Sequence, residues 1–530
     1  MLAEIKKVFK NSAIYGLGSL IPKLTGIVLV PIYTHFLLPA DYGLYSLATM
    51  ITSMLGVVMM LGQNGSLTLF FRTSQTEGSE DEAKSLLFSV VTFTMLFAGF
   101  IFALLMLFGP VLMPYIVKSP TFTFQPYMVV VLLTALLGVP LGLMQAVQIA
   151  RGQAAQYTLL SVTSFFINTG FTIYFVVALR QGAYGSLKGT LVAAVLLLPA
   201  ALWLLMRNMR ARFSWKWLRK SLLFGLPLVP HYFAGFILTY ADRAMLERLR
   251  SLTEVGLYSL AYNLSMVLNL ASSAINTAWG PVYYDLAATE DGRQKLPRLT
   301  TIYAAAVTAA AIAYLLLSRE TLLVLASSKY AAAAGLIPIV VGGYYFFALY
   351  MVLSTGIFFA KKTKWVPVIS ALAAVVNIGM NLWLIPRYGM CAAALNTFLA
   401  YGVMALIARY LSGRLAPIAF EDGRLLKLVG IFLAAFGLNF AVVALPVSLW
   451  VQLLLKLVIL GLAAGAFTWL DIVSIKDVAS VLQRVADRRR RKLTPDESEG
   501  LVAQSDEMQG MGDEATPRLG GPPEDPDRPR

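Results

Sequence analysis

The chain has 530 residues, 58% of them hydrophobic and only 13% charged, with a formal net charge of +15. That composition excludes an ordinary soluble protein, and the spread of the positive charge over many loops argues against a nucleic-acid binder. A single cysteine, Cys391, excludes an intrachain disulfide framework, and two histidines leave little for a zinc site.

The apolar residues come in runs of about 20, the length a helix needs to cross a hydrocarbon core about 30 Å thick. Strand-type spans of about ten alternating residues do not fit them. In chain order the runs predict about fourteen transmembrane helices: 12–33, 43–70, 85–108, 126–146, 157–178, 187–206, 222–240, 255–278, 300–317, 336–359, 366–385, 391–410, 425–445 and 449–470. The fold class is therefore an all-α membrane protein. Lys6, Lys7 and Lys10 lead into a first run too long for a signal-peptide core, with no small-residue cleavage site, so it is expected to stay as a span.

Basic residues fix the expected orientation. Lys6–Lys10, the group from Arg207 to Lys220, Lys361–Lys364, the group from Arg409 to Lys427, and Arg488–Lys492 all fall on one side of these spans, which should be the cytoplasm. Both termini are then cytoplasmic. After 471 the chain turns polar and rich in Pro, Gly and charge, and such a tail is expected to be disordered, its basic start close to anionic lipid.

The chain also repeats itself. Leu20-Ile21-Pro22-Lys23 and Tyr42-Gly43-Leu44-Tyr45-Ser46-Leu47-Ala48 return as Leu228-Val229-Pro230-His231 and Val255-Gly256-Leu257-Tyr258-Ser259-Leu260-Ala261. Asn168-Thr169-Gly170 is matched by Asn377-Ile378-Gly379, and Thr190 by Thr397, all at an offset of about 207 to 213. Each unit has an even number of spans and starts from the basic side, so the halves are two parallel-oriented six-helix bundles, a transporter signature. The expected layout is an N-terminal bundle over 1–206, a cytoplasmic linker over 207–221, a second bundle over 222–412, two additional helices over 413–470, and the tail over 471–530.

Few residues can carry chemistry at bilayer depth. Lys23 follows Pro22 in the first span, and His231 follows Pro230 at the aligned place. A charge there is costly unless it faces a partner or water, and each proline loosens its helix, so the pair is expected to line a central cavity. Helical spacing places Thr34 on the face of Lys23 and Asp242 on that of His231. Arg243 is a candidate anion contact at the end of its span. It should not face its neighbour Asp242, since adjacent helical residues diverge. Arg72 and Arg151 are candidates for receiving a phosphate-bearing headgroup from the cytoplasmic side. Asp242 or His231 could serve proton or ion coupling. Lys456, in the last span, is expected to snorkel, and Asn168, Asn377 and Asn381 to make interhelical hydrogen bonds. No Walker P-loop and no Ser/His/Asp or metal-ligand set is present, so neither ATP hydrolysis nor catalysis is expected.

The stretch 11–48, with Ser19-Leu20-Ile21-Pro22-Lys23, Pro31-Ile32-Tyr33-Thr34 and Asp41-Tyr42-Gly43-Leu44-Tyr45, is similar to the start of the polysaccharide transporter (O-antigen flippase) family. That family belongs to the multidrug/oligosaccharidyl-lipid/polysaccharide superfamily. Gly225-Leu226-Pro227-Leu228-Val229-Pro230, Asp242-Arg243 and Ala278-Trp279-Gly280-Pro281 carry the resemblance into the second half, and it covers about residues 1 to 470. The polar tail departs from it. The resemblance implies MATE-like, V-related bundles in a bacterial inner membrane that move undecaprenyl-pyrophosphate-linked oligosaccharide between leaflets for O-antigen or exopolysaccharide synthesis. It implies no cofactor and no metal. Membrane lipids, the lipid-linked oligosaccharide, and polysaccharide polymerase and assembly proteins would be the partners, with no nucleic acid. A peptidoglycan-precursor flippase or a drug exporter of the same superfamily is the nearest alternative, and a membrane glycan polymerase or ligase the alternative from another class.

Overall fold

The computed structural model describes residues 16, 18, 20–22, 25–77, 79–416 and 420–474. Lys23 and all but the first few residues of the predicted tail lie outside them. Met1–Ala466 form one compact unit and Phe467–Arg530 another, and the description concerns the first. Its helices are α1 (Val30–Phe36), α2 (Pro39–Met60), α3 (Gln63–Glu77), α4 (Glu80–Ile116), α5 (Val129–Ala150), α6 (Ala154–Ile173), α7 (Gly182–Arg207), α8 (Trp215–Gly225), α9 (Val229–Leu249), α10 (Leu252–Ala287), α11 (Glu290–Leu325), α12 (Leu336–Phe359), α13 (Trp365–Leu415), α14 (Asp422–Ala444) and α15 (Leu449–Trp469). No strand occurs among the described residues.

Eleven of the described helical segments are long and apolar enough to cross a membrane. The remaining predicted spans are accounted for in three ways. The first corresponds to the apolar stretch Leu20–Phe36, described except at 23 and 24. The run 255–278 lies inside α10, whose asparagines and serines make it too polar for the same criterion. The runs 366–385 and 391–410 share α13, which bends at Gly389 (φ 58°, ψ −137°), a backbone conformation open to glycine alone.

Local chemistry sets the helix ends. Ser79 Oγ accepts from Glu82 N at 3.2 Å, Ser251 Oγ from Glu254 N at 3.3 Å and Thr289 Oγ1 from Gly292 N at 3.2 Å, capping α4, α10 and α11. The predicted span 43–70 is broken into α2 and α3 at Leu61 and Gly62 (φ 45° and 71°). A Cβ at Gly62 would collide with the carbonyl of Gly225, so glycine here serves both the turn and a close approach of two chain segments. The C-terminal part of the predicted linker is α8, joined to α9 by the short turn Leu226–Leu228.

The second half is built around α12, most of which is buried, with α10, α11 and α13 packed against it. The C-terminal helices dock on this half. Phe432 of α14 stacks on Tyr345 of α12 with ring centroids 3.9 Å apart. Lys456 of α15 donates to both carboxylate oxygens of Glu320 in α11, at 2.7 and 2.9 Å, and Arg319 donates to Gln452 at 2.6 Å. Lys456 is 2% exposed, which corrects the expectation that it snorkels. An unpaired cation there would cost several kcal/mol in desolvation, so a buried partner replaces the water that a snorkelling lysine would seek.

Candidate functional site

The halves touch where their repeated motifs lie. Gly43 of α2 and Gly256 of α10 are equivalent positions of the echo, and they face each other. A Cβ on Gly256 would overlap the carbonyl oxygen of Pro39, and one on Gly43 that of Leu252. Three residues further on, the equivalent hydroxyls of Ser46 and Ser259 share a hydrogen bond of 2.7 Å. The two helices therefore cross at matching glycines, as a local two-fold requires, because only glycine lets two helix backbones come so close.

A second pair of contacts follows the same symmetry. The backbone N–H of Ser327, in the loop after α11, donates to Thr34 Oγ1 at 3.1 Å, and Lys329 Nζ donates to His35 O at 3.4 Å. In the other direction the N–H of Ser119, in the loop after α4, donates to Glu247 Oε1 at 2.7 Å, and Lys118 Nζ donates to Arg248 O at 3.4 Å. Each half thus grips the other through one backbone N–H and one nearby lysine, a reciprocal clasp. Thr34 and Glu247 are both buried, with 0% and 5% exposure. Tyr330, whose phenol burial holds well above the ordinary tyrosine range, adds a bond to Leu37 O at 3.3 Å. The clasp also sets the repeat register here: Thr34 corresponds to Glu247, at the same offset as Gly43 to Gly256, and the segment from Pro230 to Glu247 is longer than that from Pro22 to Thr34.

Beyond these contacts the halves enclose a cavity of about 410 Å³. That is room for on the order of a dozen waters. Its lining comes from both halves, including Pro22, Tyr33, Tyr45, Asn168, Tyr240 and Arg243. Among the described lining residues only Arg243 is charged and the wall is mainly hydroxyl and tyrosine; of the pair expected to line it, His231 is not among the lining residues and Lys23 lies outside the described residues. Arg243 Nε donates to Ser259 Oγ at 3.0 Å and Nη1 to Thr239 O at 2.6 Å. Its guanidinium carbon lies 5.2, 5.7 and 4.8 Å from the ring centres of Tyr240, Tyr258 and Tyr262. Arg243 is only 4% exposed, so the rings stand in for much of its water shell at the cavity wall, and a guanidinium is a fork of N–H donors suited to an anion.

Asp242 turns the other way, into the second half, as adjacent helical positions must. It is fully buried and receives hydrogen bonds from Tyr258 OH at 2.5 Å, Asn381 Nδ2 at 2.5 Å and Thr397 Oγ1 at 2.6 Å. Asn381 Nδ2 also reaches Asn377 Oδ1 at 3.0 Å, and Asn396 Nδ2 donates to Asn381 Oδ1 at 2.8 Å. Segments α9, α10 and both arms of α13 are knitted around one carboxylate. The donors offset the cost of burying it, and the cluster's oxygens are of the hard type that hold small cations. No group of three or more His, Cys, Asp or Glu occurs among the described residues. Sequence reasoning singled out Asp242, Asn377 and Asn381 one by one. The i, i+4 spacing of the two asparagines was the signal that they share a face, but Tyr258 and Asn396 were missed.

The other candidates are placed apart. His231 is half-buried beside Tyr232, its Nδ1 without a partner, and does not line the cavity. The Arg151 guanidinium is 5.1 Å from the Phe71 ring centre, and Arg72 lines a shallow depression with Asn64 and Thr68. They flank the end opposite the clasp, where Ser66 and Ser221 share a hydrogen bond and Phe70 meets Phe224 edge-on.

The model of a family described as polysaccharide biosynthesis protein matches residues 8–286. The chain belongs to that family. A Haemophilus influenzae protein of the Lsg locus is 25% identical over 289 residues, which span 53% of this chain and 66% of that protein. The fold is similar to that of the lipid II flippase MurJ in an inward closed conformation, with a TM-score of 0.68 over 87% of this chain and 100% of that one at 15% identity. An inward-facing multidrug resistance MATE transporter of the MOP superfamily follows, with a TM-score of 0.60 over 78% and 98% at 13% identity. This family member is thus a multi-pass membrane protein with the helical fold of MurJ and the MATE transporters.

Proposed function

We propose that the protein is a flippase, not an enzyme, that moves an undecaprenyl-pyrophosphate-linked oligosaccharide across a bacterial inner membrane for polysaccharide synthesis. The observation that carries this reading is the polar cavity between duplicated halves, with a caged arginine on its wall and a breakable clasp at one end. A pyrophosphate and its sugars cannot cross hydrocarbon unaided, because a bare charge there costs tens of kcal/mol in the Born limit. A wet cavity removes most of that cost while the prenyl chain stays in lipid.

On this reading the linker end, with its basic loops, faces the cytoplasm and the clasp end the periplasm. The bundles over 1–206 and 222–412 rock against each other, and breaking the clasp and the Gly43–Gly256 crossing opens the far side. Arg243 holds the pyrophosphate. Lys23, adjacent in sequence to the lining residue Pro22, is assigned a second contact on sequence alone, and Arg72 and Arg151 a role at entry. Asp242 is the coupling group: a proton or a small cation on its carboxylate would alter the hydrogen bonds that tie α13 to α9, and α9 is the helix that also carries Arg243 into the cavity. A drug exporter for cations would favour a carboxylate on the wall, and the described lining has none.

The test is movement of a fluorescent lipid-linked oligosaccharide between leaflets of proteoliposomes. Arg243→Met should lower it about 10- to 100-fold, the value of losing about 1.5–3 kcal/mol in hydrogen bonds to a charged group. Wild-type movement by that variant, or none by the wild-type protein, refutes the reading.

A further inference from the structure

Five hydroxyls on the first half's share of the cavity wall are held in one way. Thr49, Thr52 and Ser53 of α2, Thr134 of α5 and Thr190 of α7 all line it. Each hydroxyl donates to the carbonyl four residues back in its own helix: to Tyr45, Ala48 and Thr49 at 2.9 Å, to Val130 at 2.7 Å and to Ser186 at 3.2 Å. A hydroxyl has one proton and two lone pairs. With the proton committed to the helix, what remains for the cavity is acceptor capacity. The amide oxygen of Asn168, on the same wall, is also without a partner.

The duplication supplies the reason. Asn168 and Thr190 are the repeat counterparts of Asn377 and Thr397, which in the second half are bound up with Asp242. Leu29, 1% exposed, precedes Thr34 by the same number of residues as Asp242 precedes Glu247. The first half therefore has no carboxylate at that place, and its amide and hydroxyl are left to the cavity.

We infer that this wall is a glycan subsite in which Thr49, Thr52, Ser53, Thr134 and Thr190 select neutral sugars over sugars that carry carboxylates. A sugar hydroxyl brings a proton to each waiting lone pair. A carboxylate brings only lone pairs of its own, so it must either face oxygen with oxygen or pull the hydroxyls off their helix carbonyls. Arg243, contributed by the second half, is left for the pyrophosphate, and the two ends of the headgroup are sorted between the halves. The inference rests on the proposed lipid-linked substrate, and binding measurements separate the two.

The full-length protein in detergent is titrated calorimetrically with two probes: a short-chain prenyl pyrophosphate bearing a neutral dihexose, and the same lipid bearing a hexose–hexuronate. The wild type should bind the neutral probe at least about tenfold more tightly, the ratio of roughly two ordinary hydrogen bonds. Thr49→Val and Thr52→Val keep side-chain shape and remove acceptors. Each should weaken the neutral probe about fivefold, with the hexuronate probe nearly unchanged. Thr190→Val should weaken the neutral probe in the same way, and Thr190→Ser, which keeps the hydroxyl, should restore the binding that valine loses. Melting temperatures check that every variant is folded. Equal affinity for the two probes, equal losses in the valine variants, or binding of neither probe overturns the subsite. Preferential binding of the neutral probe without its movement in proteoliposomes upholds the subsite and sinks the transport reading.

Discussion

Replacing Glu247 by alanine should loosen one arm of the clasp while leaving the other intact. Glu247 Oε1 accepts from Ser119 N at 2.7 Å in a nearly buried setting, and a hydrogen bond to a charged group contributes about 1.5–3 kcal/mol. Taking about 2 kcal/mol, the ratio of open to closed forms rises about 30-fold, provided the open form is the minor one. The equivalent arm is neutral: Thr34 Oγ1 accepts from Ser327 N at 3.1 Å, and Thr34→Val should cost about 1 kcal/mol, a factor of about five. Glu247→Gln keeps an acceptor without the charge and should fall between the two. The assay is the rate at which a cysteine placed at Ser164, on the cavity wall, reacts with a membrane-impermeant thiol reagent added at the clasp face. Cys391, the native thiol, is first changed to serine. Equal rates in all variants, or a larger effect from Thr34→Val than from Glu247→Ala, refute the reciprocal clasp as the closure of that end.

Other consequences are as direct. Asp242→Asn keeps the shape of the buried cluster but not its charge, so the protein should fold and still move substrate, with no response to imposed proton or sodium gradients; a wild-type response rules Asp242 out as the coupling group. Lys456→Met alone strands Glu320 and should lower stability by about 3–5 kcal/mol, whereas Lys456→Met with Glu320→Leu should come back close to wild type. Thermal unfolding in detergent decides, and equal losses in the single and double variants mean that the pair is not desolvated. Gly256→Ala sets a methyl on the Pro39 carbonyl and should push α10 from α2, raising the same thiol reactivity; no change would mean that the crossing absorbs a side chain.

The sequence determined what local chemistry can express. Apolar runs of about 20 residues have only one economical fate in a bilayer, a helix with its backbone bonds internal, so the spans were legible without tertiary information. The echoes around Gly43 and Gly256 gave the duplication. They did not give its register at the ends of the first and seventh spans, where a length difference hid the match of Thr34 with Glu247. Tertiary structure alone decided the clasp, because its donors are the backbone N–H groups of Ser119 and Ser327, and every sequence has such groups everywhere. It also decided that Lys456 is paired, since the partner Glu320 lies far away along the chain, and it divided Asp242 from Arg243, one to a buried cluster and one to the cavity. A helix dictates that neighbours diverge; only the packing of other helices says which of them meets water.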